Sequence, residues 1–210
     1  IYKIKKLIFR KIGQACKVGK GFKHLQKLQA LLDIELPSYC YILSDIIEDN
    51  LLFFKNHPQL QTYYEQGILD LAYFDAIGGK EIHLQYSDKT IRAKNLSQPL
   101  IAIANYFFDS LPNDLFYIQN EEISICSVAL DSKVDSKGMD TPTLISSLKL
   151  KYQKTALQNR YYTQPISNEI LEEYKNSVTE TYLFFPNKGL QCLDNLSDFS
   201  DKGLMVLSMD

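Results

Sequence analysis

Leu100-Ile101-Ala102-Ile103-Ala104-Asn105 follows Pro99, is apolar at every position but the last, and ends on an amide. A strand with one wet face alternates apolar with polar residues; a run without alternation is buried on both faces, as in a parallel sheet covered by helices. Three other runs share this form and end on acids: Tyr39-Cys40-Tyr41-Ile42-Leu43-Ser44-Asp45 after Pro37, Leu69-Asp70-Leu71-Ala72-Tyr73-Phe74-Asp75 after Gly67, and Leu204-Met205-Val206-Leu207-Ser208-Met209-Asp210 after Gly203. Between the first two of these, residues 46–64 carry Ile47, Leu51, Leu52 and Phe54 at helical spacing, interrupted near Pro58. That is the crossover that parallel neighbours require. Upstream, Phe22, Leu25, Leu28, Leu31 and Leu32 mark an amphipathic helix over residues 22–32, leading into the Tyr39 strand. The expectation is an α/β chain with a mostly parallel sheet flanked by helices.

Two stretches depart from this alternation of strand and helix. Residues 80–92 alternate at Ile82, Leu84 and Tyr86 around Ser87-Asp88-Lys89, a hairpin pattern; residues 115–118 and 123–130 read as two short strands joined by Gln119-Asn120-Glu121. The polar segment from Asp131 to about Thr143 reads as an exposed loop. Residues 165–175 read as a helix with Ser167 as N-cap and Ile170, Leu171 and Tyr174 facing inward. The division that follows is a core over residues 1–130, a hairpin-containing insertion or lid over 131–185, and a return to the core sheet over 186–210.

With 210 residues the chain is long enough to bury a real core. A net charge of −2 gives no general attraction to nucleic acid or anionic lipid. The four cysteines (Cys16, Cys40, Cys126, Cys192) are dispersed and form no CxxC pair, so neither a zinc site nor a disulfide framework is expected, and a reducing, intracellular (cytoplasmic) setting fits best. No apolar run approaches the roughly 20 residues of a membrane span. A first residue that is Ile and a final strand without a following loop suggest a piece of a longer polypeptide. His24, His57 and His83 lack ligand spacing and read as surface or turn residues, and Tyr161-Tyr162 could rim either a substrate cleft or the core.

Chemistry is expected at the strand ends, because ligands of open α/β sheets bind outside the carboxyl ends of the strands. Asp45, Asp75 and Asn105 stand there, one strand-crossover-strand unit apart. An acid ending the second strand of a nucleotide fold can accept from both ribose hydroxyls, and an acid ending the next strand can accept from an adenine amine. Against this stands the plain use of Asp to end strands.

Asn105-Tyr106-Phe107-Phe108-Asp109-Ser110-Leu111-Pro112 resembles the turn after the fourth strand of class I methyltransferases, and more narrowly that of the MidA-like protein arginine methyltransferases. There an Asn is followed by an acid, two apolar residues, an Asp, a small residue, an apolar residue and Pro; all positions match but Tyr106. The resemblance implies a Rossmann-like fold, S-adenosylmethionine as cofactor, a protein or small-molecule methyl acceptor, and Asn105, Tyr106 and Asp109 at the reacting edge. With Tyr at 106, the acid that would engage a guanidinium is missing. The family's cofactor loop, a glycine-rich turn after the first strand, has one counterpart, Gly13-Gln14-Ala15-Cys16-Lys17-Val18-Gly19-Lys20-Gly21, with Gly19 and Gly21 as the cofactor-binding positions. No acid precedes it, Lys5, Lys6, Arg10, Lys11, Lys17 and Lys20 make it basic, and residues 1–12 make a poor strand. Three functions follow: a methyltransferase with Asp45 and Asp75 on the adenosine, a binding or assembly protein that kept the fold and lost the cofactor loop, or, less favoured without a recognisable phosphate loop, another nucleotide-using α/β protein.

Overall fold

The computed structural model describes residues 4–10, 27, 30–31, 39–105, 107–132, 140–157 and 160–209. It is a mixed α/β structure of two compact units, Ile1–Leu111 with Lys188–Asp210, and Pro112–Asn187. The expected boundary at 130/131 differs from this break at 111/112. The reason is strand pairing: residues 114–132 bond to antiparallel neighbours inside the second unit and to none of the parallel strands.

The first unit is built on five parallel strands: β1 (Ile4–Arg10), β2 (Tyr39–Asp45), β3 (Leu69–Tyr73), β6 (Leu100–Asn105) and β11 (Leu204–Met209), in the order β11-β6-β1-β2-β3. Four of them are the four apolar runs. The third run closes at Tyr73, two residues before Asp75, because beyond Tyr73 the chain turns away from its pairing with Asp45. The fifth strand, β1, lies in the residues expected to make a poor strand, and it is the centre of the sheet. It pairs with β2 from Ile4 to Phe9 and with β6 from Lys5 to Arg10. A central strand is bonded along both edges, and that pairing outweighs the weak strand preference of its lysines.

Both faces of the sheet are covered at β2, β3 and β6, as their unbroken apolar runs require, whereas the edge strand β11 leaves Met205 and Leu207 exposed. Ile42, Ala72, Leu100 and Ala102 face one core together with Cys192, Leu196 and Phe199; Leu43, Leu69 and Leu71 face the other with Leu51, Phe54, Leu60 and Tyr64. Successive residues of β2 and of β3 therefore enter different cores, each fully buried Leu, Ile or Phe contributing about 1.5–3 kcal/mol. The first core is closed by α5 (Asn187–Ser197), the second by α1 (Glu48–Asn56), a 3-10 turn (Pro58–Leu60) and α2 (Gln61–Glu65). Of the face expected on α1, Leu51 and Phe54 are buried while Ile47 and Leu52 are exposed. The buried pair is one i,i+3 step, and Leu52 is a further 100° round the helix. Of the expected helix over residues 22–32, Lys27, Ala30 and Leu31 are described and helical, and Leu31 is 79% exposed rather than inward.

The hairpin after β3 forms as expected, with β4 (Glu81–Leu84) antiparallel to β5 (Lys89–Arg92) and Ile82, Leu84 and Ile91 buried. In the loop leading to it, a Cβ on Gly79 would lie 2.6 Å from the Asp75 carbonyl oxygen and 2.8 Å from the Phe74 ring. Backbone cannot yield there as a side-chain tip would. Gly79→Ala is expected to cost about 1–3 kcal/mol, as overpacking does, read as a lower urea midpoint at unchanged slope.

The second unit is a four-stranded antiparallel sheet, β10 (Glu180–Phe185), β7 (Asp114–Gln119), β8 (Glu122–Ser132) and β9 (Leu148–Ala156), in that order, with α3 (Thr141–Ser147) and α4 (Pro165–Ser177). The two strands expected around residues 115–130 are β7 and β8. Their turn holds Asn120 and Glu121 at φ 49° and 61°, the left-handed pair a two-residue hairpin needs for its strands' twist. The helix expected at residues 165–175 is α4, but Gln164 is its N-cap. Ser167 is buried inside, donating to Asn187 Oδ1 at 3.0 Å, and Tyr174 is exposed while Leu171 is buried. Pro165 at the first helical position explains the shift, since its fixed φ places the N-cap three residues earlier than Ser167. Residues 133–139 of the expected loop lie outside the described residues.

Candidate functional site

The carboxyl ends of the five parallel strands form one line. Tyr73 pairs with Asp45, Arg10 with Asn105 and Asn105 with Met209, and Arg10 and Asp45 each follow the Phe9–Ser44 pair by one step. The register order along this edge is thus Tyr73, Asp45, Arg10, Asn105, Met209. The chain runs outward from β1 through β2 to β3, then returns to the other side of β1 to lay down β6 and β11. The reversal falls between β1 and β6, and open α/β sheets of this kind bind ligands outside the carboxyl edge at such a point.

Asp45 is held in a fixed orientation at this edge. Its Oδ1 accepts from Ile47 N at 3.0 Å and its Oδ2 from Asn50 Nδ2 at 2.8 Å. Asn50 is buried on the first turn of α1, so the carboxylate ties the strand end to the helix start. Each carboxylate oxygen accepts about two hydrogen bonds, which leaves one position on each oxygen. The cap expected of a strand-ending Asp and a free acceptor pair therefore coexist in one side chain.

Asp75 lies in the turn after β3 and is exposed; Oδ1 accepts from Ile77 N at 2.9 Å and its carbonyl from Gly79 N at 2.7 Å. The turn is pinned from α5 by Asn195, whose Nδ2 donates to the carbonyls of Ala76 at 3.0 Å and Gly79 at 2.8 Å while its Oδ1 accepts from Lys80 Nζ at 3.1 Å. The ends of β2 and β3 are joined by Phe74 N donating to the Asp45 carbonyl at 3.1 Å. Asp45 and Asp75 thus belong to adjoining, braced loops.

Beyond β6, Phe107, Phe108 and Leu111 pack against the first core, and Phe108–Ser110 is a single 3-10 turn that leaves Asp109 exposed. The Phe107 and Phe108 rings meet edge to face at 5.2 Å, and Ser110 Oγ donates to the Phe107 carbonyl at 2.7 Å. Asn105 is placed by its backbone register; its side chain, all of Tyr106, and Gly19 and Gly21 with the whole Gly13-to-Gly21 segment lie outside the described residues.

Two polar residues, one bracing the β4–β5 hairpin from within β3 and one the turn of Asp75, have no signature in the sequence. Asp70 sits inside an apolar strand, 2% exposed, and accepts from the backbone N–H of Leu71 (2.8 Å), Tyr86 (2.9 Å) and Ser87 (3.1 Å), fastening the β4–β5 hairpin to the sheet. Asn195 is separated from its partners by over a hundred residues of chain. Cys192 is fully buried on the same helix, and burial pushes its thiol up to about 12 from 9.0. It is expected to resist alkylation in the native chain and to react once denaturant opens the first core, which peptide mass mapping would read.

In the second unit, a cleft of about 630 Å³ is lined by Ile123, Leu157, Tyr161 and Leu171, with Arg160 and Glu169 among its polar walls. Tyr162 is bonded inward: its hydroxyl donates to Asp114 Oδ2 at 2.5 Å and its ring stacks on Phe185 at 5.3 Å. Burial first, and then Asp114, raise its pKa. Among the described residues no group of three or more His, Cys, Asp or Glu could hold a metal ion, and no helix is long and apolar enough to cross a membrane.

No family model matches the chain, and no curated protein matches it. Among solved structures it is similar to a crystal structure from Burkholderia thailandensis described as a "likely methyl transferase" bound to S-adenosyl-homocysteine, at 14% identity and a TM-score of 0.36 over 75% of this chain. The chain spans 30% of that protein's length.

Proposed function

We propose that the chain is the Rossmann-like core of an S-adenosylmethionine-dependent methyltransferase acting on a protein or small-molecule acceptor. The observation that carries the reading is the all-parallel order β11-β6-β1-β2-β3, with Asp45 at its carboxyl edge beside the point of reversal. That order, outward to one side of the first strand and then to the other, is the doubly wound arrangement that binds nucleosides in its crevice. The free acceptor position on each Asp45 oxygen fits the two hydroxyls of a ribose. Asp75 Oδ2 is available to an adenine amine, and the turn over residues 105–112, matched to the methyltransferase pattern at all but Tyr106, would face the acceptor.

S-adenosylmethionine supplies a methyl carbon on a positively charged sulfur, transferred by in-line displacement without covalent help from the protein. What remains for the chain is to hold, align and dry. Asp45 would anchor the ribose; the Phe107–Phe108 pair, packed on the core, would wall the site; Asn105 and Asp109 would orient the acceptor, and Asp109 would take its proton.

A second reading, a methyltransferase-like binding or assembly protein, is favoured by the basic, acid-free residues 13–21 and by Arg10 at the edge position between Asp45 and Asn105. Titration calorimetry of the chain with S-adenosylmethionine and S-adenosyl-homocysteine separates the two. Saturable binding is the expected result; an absence of heat at ligand concentrations far above those of the protein would leave the second reading standing.

A further inference from the structure

We propose that the open face of the β10-β7-β8-β9 sheet packs face to face against the same face of a second copy of this chain. Directly opposed residues share a face, so the registers Tyr182–Tyr117, Tyr117–Ser124, Val128–Tyr152 and Leu130–Leu150 sort the sheet into two sides. One side holds Phe116, Ile118 and Phe185, all buried, with Tyr161 and Tyr162 packed on Phe116. The other carries Val128, Leu130, Leu150, Tyr152, Tyr182 and Phe184, each between 47% and 69% exposed.

An antiparallel sheet with one covered face ordinarily turns polar residues to water on the other. Here the uncovered side is itself apolar, and in the outer β8–β9 ribbon the polar residues Lys149, Lys151 and Asp131 lie on the side opposite Leu130 and Leu150. That ribbon runs past the end of β7: residues 127–132 of β8 pair with β9 alone. Two strands on their own are marginal in water, and an apolar face is the surface by which such a ribbon gains a second layer.

Area and charge select a second copy as that layer. At roughly 150–250 Å² per large side chain, the six residues expose about 500–850 Å². This reaches past the roughly 300–600 Å² patch of ordinary monomers towards the roughly 800 Å² per partner of a standard interface. The six residues themselves carry no charge. On the same side Glu122 and Glu180 lie towards the Asn120–Glu121 turn, Glu180 accepting from the Tyr117 hydroxyl, and the one cation, Lys154, has its ammonium 3.0 Å from the centre of the Tyr117 ring and 5.0 Å from that of Tyr182. Two copies related by a two-fold axis can set the six uncharged side chains against each other with Glu122 and Glu180 at the rim, whereas an anionic surface would meet those carboxylates and find no free basic cluster. Edge-to-edge pairing through β9 is disfavoured instead, because its lysines would line up against themselves.

The test is sedimentation equilibrium of the chain over a dilution series, beside Leu130→Glu and the opposite-side control Lys149→Glu. The wild type and the control are expected to dimerise, and Leu130→Glu to raise the dimer dissociation constant by about 10- to 100-fold. Because residue 130 is exposed, circular dichroism of the variant should match the wild type. A wild type that stays monomeric up to its solubility limit, or a dimer indifferent to Leu130→Glu, overturns the proposal.

Discussion

Asp70→Ala is expected to lower the stability of the first unit by about 3 kcal/mol, seen as a fall in the urea midpoint and as fast hydrogen exchange at the Tyr86 and Ser87 amides. The carboxylate accepts three backbone N–H groups while nearly sealed from water. Hydrogen bonds to a charged group contribute about 1.5–3 kcal/mol each. The full sum does not apply, because Tyr86 and Ser87 are exposed and water can reach their amides once the side chain is gone. What water cannot restore is the attachment: a two-stranded hairpin is marginal alone, and Asp70 with the Gln85 N to Leu71 carbonyl bond (2.8 Å) holds it to the sheet. Asp70→Asn should fall between, since its oxygen still accepts and its amide meets an N–H. A loss under about 1 kcal/mol in Asp70→Ala would mean that hydration replaces the carboxylate in full.

Asp45→Ala is expected to weaken S-adenosylmethionine binding at least about 30-fold, from two charge-assisted hydrogen bonds lost to the ribose. Its cost in stability is smaller, about 1 kcal/mol, the size of a lost cap at a helix start. The two effects separate in Asp45→Asn, which can still accept from Ile47 N and so keeps most of the stability. Its amide offers a donor where a ribose hydroxyl needs an acceptor, so the affinity stays low. Calorimetry and urea denaturation on the same three samples read both. Equal affinity in wild type and Asp45→Ala would remove the ribose contact from the proposed function.

The runs Tyr39–Asp45, Leu69–Tyr73 and Leu100–Asn105 were legible as buried strands because each lies between two cores and so has no polar face to interrupt it; Leu204–Met209 was legible from its apolar composition although Met205 and Leu207 are exposed at the sheet edge. The hairpins were legible through alternation and turn residues, which act over a few positions. β1 was not, since its lysines lower its strand preference and its pairing partners lie far along the chain, at residues 39–44 and 100–105. β9 went unread for the same reason: Lys149, Lys151 and Lys154 give it the composition of a solvated segment, and only β8 makes it a strand.

The site divides in the same way. Sequence alone determined that Asp45 and Asn105 close strands and that residues 105–112 resemble the methyltransferase turn, because side-chain type and spacing are local. Tertiary structure decided that Asp45 stands in register with Tyr73 while Asp75 lies in a turn beyond it, that Asn195 braces that turn, and that Asp70 serves the backbone of a distant hairpin. Those facts rest on hydrogen bonds closed across as many as 119 positions of chain, and no local pattern encodes a partner that far away.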